Sequence, residues 1–383
     1  MTTTAPHSLG RFLKRPPRYG LNAAAVTLTP GISAYIRITD IDAYGRFSPS
    51  PKVGVDHPSA LQYLLQDDEL VVARTGASVG KSYLYDRRDG ELVYAGFLIN
   101  IAPDPDVLNP KFLALVLQSR HYWDWIARTS VRSGQPGING RELAAFPISV
   151  PAIDVQDSIA GAVSDIEGLI TTLERLITKK QDIKTGMMRQ LLTGKTRLPG
   201  FTEEWTWRPF PEVMFRLNAK KHQVPASSYN SVGRLPVVDQ GQKSIIGYTD
   251  QMSTAFDPGS EGVIVFGDHT CITKFVDFEF AVGADGTQLL KAVPGNSTRF
   301  FAHALQANPV ASTGYNRHFK FLQEKLLPVP ELTEQNAIAD ALDDFGREIA
   351  TLESRLTKTR AVKSGMMQQL LTGRTRLALG APA

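Results

Sequence analysis

The string KTGMMRQLLTGKTRL at residues 184–198 returns as KSGMMQQLLTGRTRL at residues 363–377. The three replacements are mild: Thr185 by Ser364, Arg189 by Gln368 and Lys195 by Arg374. The two copies align without a gap back to Pro151 and Pro330. Upstream of the shared string, apolar residues alternate at spacings of four and three. They are Ile159, Val163, Ile166, Ile170, Leu173 and Ile177 in one copy, and Ile338, Leu342, Phe345, Ile349, Leu352 and Leu356 in the other. That heptad seam is the pattern of helices packed along their length. Asp154 and Thr333, just after the prolines, are the expected N-caps. Acidic residues such as Asp157, Asp165, Asp340 and Asp343 gather early, and basic ones such as Lys184, Arg189, Lys363 and Arg374 late. This order suits the helix dipole, and Gly194 and Gly373 are natural stops. From Asp154 to Leu192 such a helix spans roughly 55–60 Å at ~1.5 Å per residue. A long helix present twice, each time after an unrelated stretch, implies two similar halves that do a similar job on different targets.

The chain therefore divides into a globular region at 1–150, a helical segment at 151–200, a second region at 201–328 and a second helical segment from 329 to 383. The two regions read as mixed α+β, mainly strands with a few helices. In the first, strands are expected at 70–74, 82–85 and 91–101, and an amphipathic helix at 111–128. In the second, strands are expected at 263–266, 272–276 and 279–282, and a helix at 299–307. The single cysteine, Cys271, permits no disulfide within the chain and fits a reducing cytoplasm. No apolar run approaches a membrane span, and the first twenty residues lack a signal-peptide core. A net charge of +4 excludes a nonspecific polycation but allows local basic patches.

At the level of whole-chain architecture, two dissimilar domains each followed by a heptad helix ending in GMMxQLLTGxTRL, the chain resembles the specificity subunit of type I restriction–modification systems. LVVARTGASVGKSYL at 70–84, LPVVDQGQKSIIGYTD at 235–250 and VIVFGDHTCITKFVDFEFAVGADGTQLL at 263–290 are similar to segments of that family's target-recognition domains. Both regions also end in a proline-flanked strand, FPISVP at 146–151 and LLPVPE at 326–331. The resemblance implies two target-recognition domains separated by two helices packed as an antiparallel coiled coil. It implies a subunit without catalytic activity that binds a bipartite site in double-stranded DNA, one half-site per domain. It implies partners too: two methyltransferase subunits using S-adenosylmethionine, and restriction subunits using ATP and Mg. This chain itself would hold no cofactor or metal and would touch no membrane. The physics is compatible: half-sites on opposite strands are related by a two-fold, and successive major grooves lie about 34–36 Å apart. Lengthening the helix by a turn would move one reader by about 5.4 Å.

Candidate DNA contacts follow from polar loops between strands. Arg74, Thr75, Ser78 and Lys81 lie in one such loop; Arg suits guanine and Lys suits phosphate. An ordinary hairpin with solvated charges is the plain alternative. The same loop's GxxxGK falls one residue short of a phosphate-binding GxxxxGK[ST]. In the second region the candidates are Gln240 and Lys243, then Asp268, His269, Thr270 and Lys274. A metal held by His269 and Cys271 would lack further ligands. Arg132, Ser133 and Gln135, with their counterparts Tyr315, Asn316, Arg317 and Lys320, precede the terminal strands and suit backbone phosphates, or are surface loops. Met187, Met188, Leu191 and Leu192, with Met366, Met367, Leu370 and Leu371, are read as a docking surface for the methyltransferase, methionine being adaptable at such surfaces; intramolecular core is the alternative. Trp123 and Trp125 are read as core anchors.

Two other functions are weighed. An amino methyltransferase needs [DNS]PP[YFW], whereas the only adjacent prolines, Pro16 and Pro17, lie between Arg15 and Arg18. A nuclease needs clustered carboxylates, and none stand out. A coiled-coil scaffold without sequence-specific DNA binding explains the helices but leaves two elaborate domains without a task.

Overall fold

The computed structural model describes residues 6–283, 286–314 and 316–375. It separates into two compact units. Unit 1 is built from residues 1–172 and 356–383, unit 2 from residues 173–355. Each of the two long helices, Ile153–Leu191 and Leu332–Leu371, contributes to both units.

Unit 1 holds an antiparallel sheet in the order Arg18–Tyr19, Leu98–Ile101, Leu70–Ala73, Ser82–Leu84. A second sheet runs Val26–Thr27, Val53–Val55, Ser33–Ile36, Leu92–Tyr94, its last pair parallel. His7–Ser8 pairs with Pro147–Ile148 at the root of the helix. Unit 2 repeats the plan. Its antiparallel sheet runs Met214–Leu217, Thr287–Ala292, Val263–Gly267, Thr273–Val276. Its second sheet runs Gly247–Thr249, Leu235–Val238, Ala281–Val282, again with a parallel last pair. Thr206–Pro209 pairs with Leu326–Val329. The mixed α/β class and the paired helices expected from the sequence are both present, on a topology that repeats while the sequences differ.

Local chemistry explains where the expected elements break. The strand expected at 91–101 is two strands in two sheets. The chain turns at Ala95, whose carbonyl accepts from Leu98 N–H, and Gly96 N–H donates to Leu21 O. The helix expected at 111–128 is Pro110–Val116 followed by Arg120–Thr129, because Ser119 caps the second, its Oγ accepting from Tyr122 N–H. Asp154 and Thr333 are the second residues of their helices, not caps. Trp125 packs beside Tyr122 and Phe146 in the core, but Trp123 is 38% exposed and sits at the surface.

The seam residues are where the heptad places them: Ile159, Val163, Ile170, Leu173, Ile177, Ile338, Leu342 and Ile349 are buried. In unit 1 the start of the first helix (Ile159, Val163) shares a core with the end of the second (Leu370) and with Leu9, Phe112 and Phe146. In unit 2 the end of the first helix (Leu191, Leu192) shares a core with the start of the second (Ile338, Leu342) and with Phe210, Ile264 and Phe300. The helices therefore run antiparallel within each unit. Ion pairs flank the seam, Lys363 with Glu167 in unit 1 and Lys180 with Glu348 in unit 2. The repeated string, read from the sequence as a docking surface or as intramolecular core, lies against these cores. Leu191, Leu192 and Leu370 are buried in the chain's own cores, and Met187, Met188, Met366, Met367 and Leu371 pack half-buried against them. Full burial of a large apolar side chain stabilises by about 1.5–3 kcal/mol, so Leu191, Leu192 and Leu370 each contribute on that order to their cores.

A duplicated polar clamp roots each helix. Gln335 is 1% exposed. Its Oε1 accepts from Ser297 N–H at 2.8 Å, and its Nε2 donates to Pro330 O and Asn296 Oδ1 at 2.9 Å each. Gln156, fully buried, repeats this with Asn109 N–H (2.8 Å), Pro151 O (2.8 Å) and Val107 O (3.0 Å). Among the described residues, no helix is long and apolar enough to cross a membrane.

Candidate nucleic-acid interface

In unit 1 the loop leaving strand Leu70–Ala73 meets the loop that precedes the terminal strand. Arg74 N–H donates to Phe97 O at 3.0 Å, and Arg74 O accepts from Ile138 N–H at 2.8 Å. Thr75 pairs with Gly137, and Gly76 N–H donates to Pro136 O at 2.9 Å. Gly76 is required here: its φ is +72°, and an added Cβ would lie 2.7 Å from Gln135 Nε2. Two sequence candidates that stood sixty residues apart are thus neighbours. The Arg74 guanidinium lies 4.5 Å from the centre of the Tyr19 ring, which is 43% exposed. Thr75 and Ser78 are half-buried, while Ser133 and Gln135 are exposed. Arg132 is engaged: it donates to Thr129 O, Val131 O and both carboxylate oxygens of Glu142. Lys81 is turned inward, its Nζ donating to Ile41 O at 3.1 Å.

In unit 2 three loops converge. Asp268 N–H donates to Gly286 O at 2.7 Å, and Asp268 O accepts from His318 N–H at 2.8 Å. The buried Asp268 carboxylate accepts from Phe319 N–H at 2.8 Å. Gln240 Oε1 accepts from His269 N–H at 3.1 Å, and Gln240 O accepts from the Thr270 hydroxyl at 2.6 Å. His269 Nδ1 lies 3.2 Å from Asn316 O. Lys274 is held within the protein: Nζ donates to Lys243 O at 2.7 Å and lies 3.8 Å from Asp239, and burial pushes its pKa below the usual lysine range against the pull of that carboxylate. The Lys243, Arg317 and Lys320 side chains are exposed, Lys320 with its Nζ 4.7 Å from the Phe321 ring centre. Tyr315 lies outside the described residues. Cys271 is buried within the apolar core of the unit.

Lys81, Lys274 and Asp268 thus hold the frame, where free phosphate or base contacts had been expected. The reason is common to all three: each satisfies backbone groups that the loops would otherwise leave unpaired.

The two sites are built alike. Arg74 and Asp268 each follow the central strand of their sheet. Each gives its N–H to the carbonyl preceding the neighbouring strand, and its carbonyl to the loop before the terminal strand. The frame is the same and the side chains differ. Sequence reasoning passed over Tyr19 and, in unit 2, Arg216; the signal was an arginine beside an aromatic residue in each first strand, Arg18–Tyr19 and Phe215–Arg216.

A family described as type I restriction modification DNA specificity domain matches residues 58–185. The chain is similar to a putative type I restriction enzyme MjaX specificity subunit from Methanocaldococcus jannaschii, 24% identical over 336 residues, covering 78% of this chain and 76% of the relative. It is also similar to the EcoR124I/EcoR124II specificity subunit of Escherichia coli, 26% identical over 181 residues, 44% of this chain and 45% of that one. Its fold matches the type I restriction–modification S subunit from M. genitalium with a TM-score of 0.64 at 13% identity, covering 95% of each chain. This chain, with two domains on one frame rooted on duplicated helices, is thus similar over most of its length to type I restriction enzyme specificity subunits, and its residues 58–185 match the DNA specificity domain of those systems.

Proposed function

We propose that each unit reads one half of a bipartite site in double-stranded DNA through its crossed loops, and that the long helices fix the unread spacer between the halves. The observation that carries this reading is the repeated junction at Arg74 and Asp268: one backbone frame, built twice, presenting different side chains. Exposed Ser133, Gln135, Lys243, Asn316, Arg317 and Lys320 lie on or beside those loops and suit phosphates and base edges. The chain performs no chemistry of its own in this reading. It works in the cytoplasm, recruiting two methyltransferase subunits that carry S-adenosylmethionine and restriction subunits that carry ATP and Mg.

The test is binding by the full chain, assembled with its methyltransferase, to duplexes bearing the site found by methylation mapping. A scrambled duplex should bind at least ~10³-fold more weakly, and affinity should fall steeply with salt as counterions are released. Equal affinity for both duplexes would end the proposal.

A further inference from the structure

The crossed loops of unit 2 border a cleft of about 470 Å³, lined among others by Arg216, Asn218, Lys220, Gln223, Gly286 and Gln288. Among the described residues the lining contains two cations and three side-chain amides, and no carboxylate. Strand pairing puts these groups together. Arg216 lies opposite Leu290, two residues from Gln288, so the side chains of Arg216 and Gln288 leave the same face of the sheet. Arg216 Nη1 is 3.5 Å from Gln288 Oε1, and its guanidinium lies 5.6 Å from the Phe319 ring centre. Phe319 is the residue whose N–H is held by Asp268. Gly286, at φ +84°, forms the other wall, where a Cβ would come within 2.6 Å of the His269 ring and 2.9 Å of Gln240 Oε1. The cleft and the loop crossing are therefore one continuous surface.

The chemistry is selective. A site for phosphate alone would call for cations, and this one adds amides. A guanidinium fork matches guanine O6 and N7, and a side-chain amide matches adenine N6 and N7. The two cations, Arg216 and Lys220, suit an anionic polymer. In unit 1 the corresponding strand ends in Tyr19 beneath Arg74, a different chemistry on the same frame. We propose that this cleft is a base-reading site of the second domain, with Arg216 and Gln288 as specificity-determining residues that meet base edges of duplex DNA. The inference rests on the reading of each unit as a DNA reader.

The test uses the full chain assembled with its methyltransferase, duplexes carrying the mapped site, and every single-base variant of that site. Arg216→Ala and Arg216→Lys should both lose discrimination at one position of one half-site by on the order of tenfold to a hundredfold, because lysine keeps the charge but not the fork. Gln288→Glu should move preference toward cytosine, whose amino group a carboxylate accepts. Undiminished discrimination at the other half-site serves as the folding control. Wild-type discrimination with an unchanged base profile in all three variants would overturn the cleft assignment. So would an Arg216→Lys variant that recovers everything Arg216→Ala loses, since that marks a phosphate contact. A wild-type complex that ignores sequence altogether would overturn the reading beneath it.

Discussion

Replacing Gln335 by methionine keeps the volume of the side chain and removes all three of its hydrogen bonds. Asn296 is half-buried and can turn to water. Ser297 N–H and Pro330 O are buried and have no such recourse. An orphaned buried group costs about 1–3 kcal/mol, so the pair should cost about 3 kcal/mol. Ser297 is also the N-cap of helix Thr298–Ala307, its hydroxyl accepting from Phe300 N–H. The loss should therefore appear as local opening at that helix start. Hydrogen exchange at the Ser297 amide should accelerate on the order of a hundredfold in Gln335→Met, since about 1.4 kcal/mol is a factor of ten. Gln156→Met should do the same to the Asn109 amide in unit 1. Exchange within threefold of wild type at both amides would refute the idea that these glutamines clamp the helices to their domains.

Three further outcomes follow from the charges. Lys274→Ala should lower the stability of unit 2 in urea by exposing Asp239 and Lys243 O to an unfilled gap, and leave the salt dependence of DNA binding unchanged; Lys243→Ala, Arg317→Ala or Lys320→Ala should each weaken binding at every sequence and reduce the salt slope by about one. Gly346→Glu should raise the melting temperature: among the described residues an added Cβ meets only Lys184 Nζ, the end of a long side chain, at 3.1 Å, the equivalent position in the other copy already holds the Glu167–Lys363 pair, and leaving glycine inside a helix gains roughly 0.5–1 kcal/mol, so a lower melting temperature would refute the equivalence. Burial pushes the Asp343 carboxyl up, but the hydrogen bond from His303 and the Arg299 guanidinium outweigh it and hold the group below the usual carboxylate range. Its folded pKa is depressed, so its stabilisation is complete above the ordinary carboxylate range and disappears as pH falls through the folded value. Asp343→Asn should flatten the acid limb of a stability–pH curve, and an unchanged limb would rule the contribution out.

What the sequence disclosed and what it withheld divide along the range of the interactions. Heptad spacing is a local property, and the buried seam from Ile159 to Ile349 obeys it. Periodicity says that a face is apolar, however, not what covers it. The repeated string reads equally as a docking surface or as core, and only the antiparallel return of the second helix puts Leu370 in one core with Ile159. The sheets were harder for the same reason. Strands as short as Arg18–Tyr19 take their register from residues eighty positions away, such as Asn100, and carry no pattern of their own. The candidate loops were recognisable as loops, yet the fate of each charge depended on a distant carbonyl: Ile41 O for Lys81, Lys243 O for Lys274. A lysine in a polar turn is equally consistent with serving the turn or serving a ligand. Only the count of unpaired backbone groups around it decides, and that count exists only after the chain has closed on itself. By this criterion the candidates left for DNA are side chains that leave the frame, Arg74 and Gln135 in one unit and Arg216, Lys243, Arg317 and Lys320 in the other, whereas the Tyr19 hydroxyl accepts from Gly140 N–H and so serves the frame.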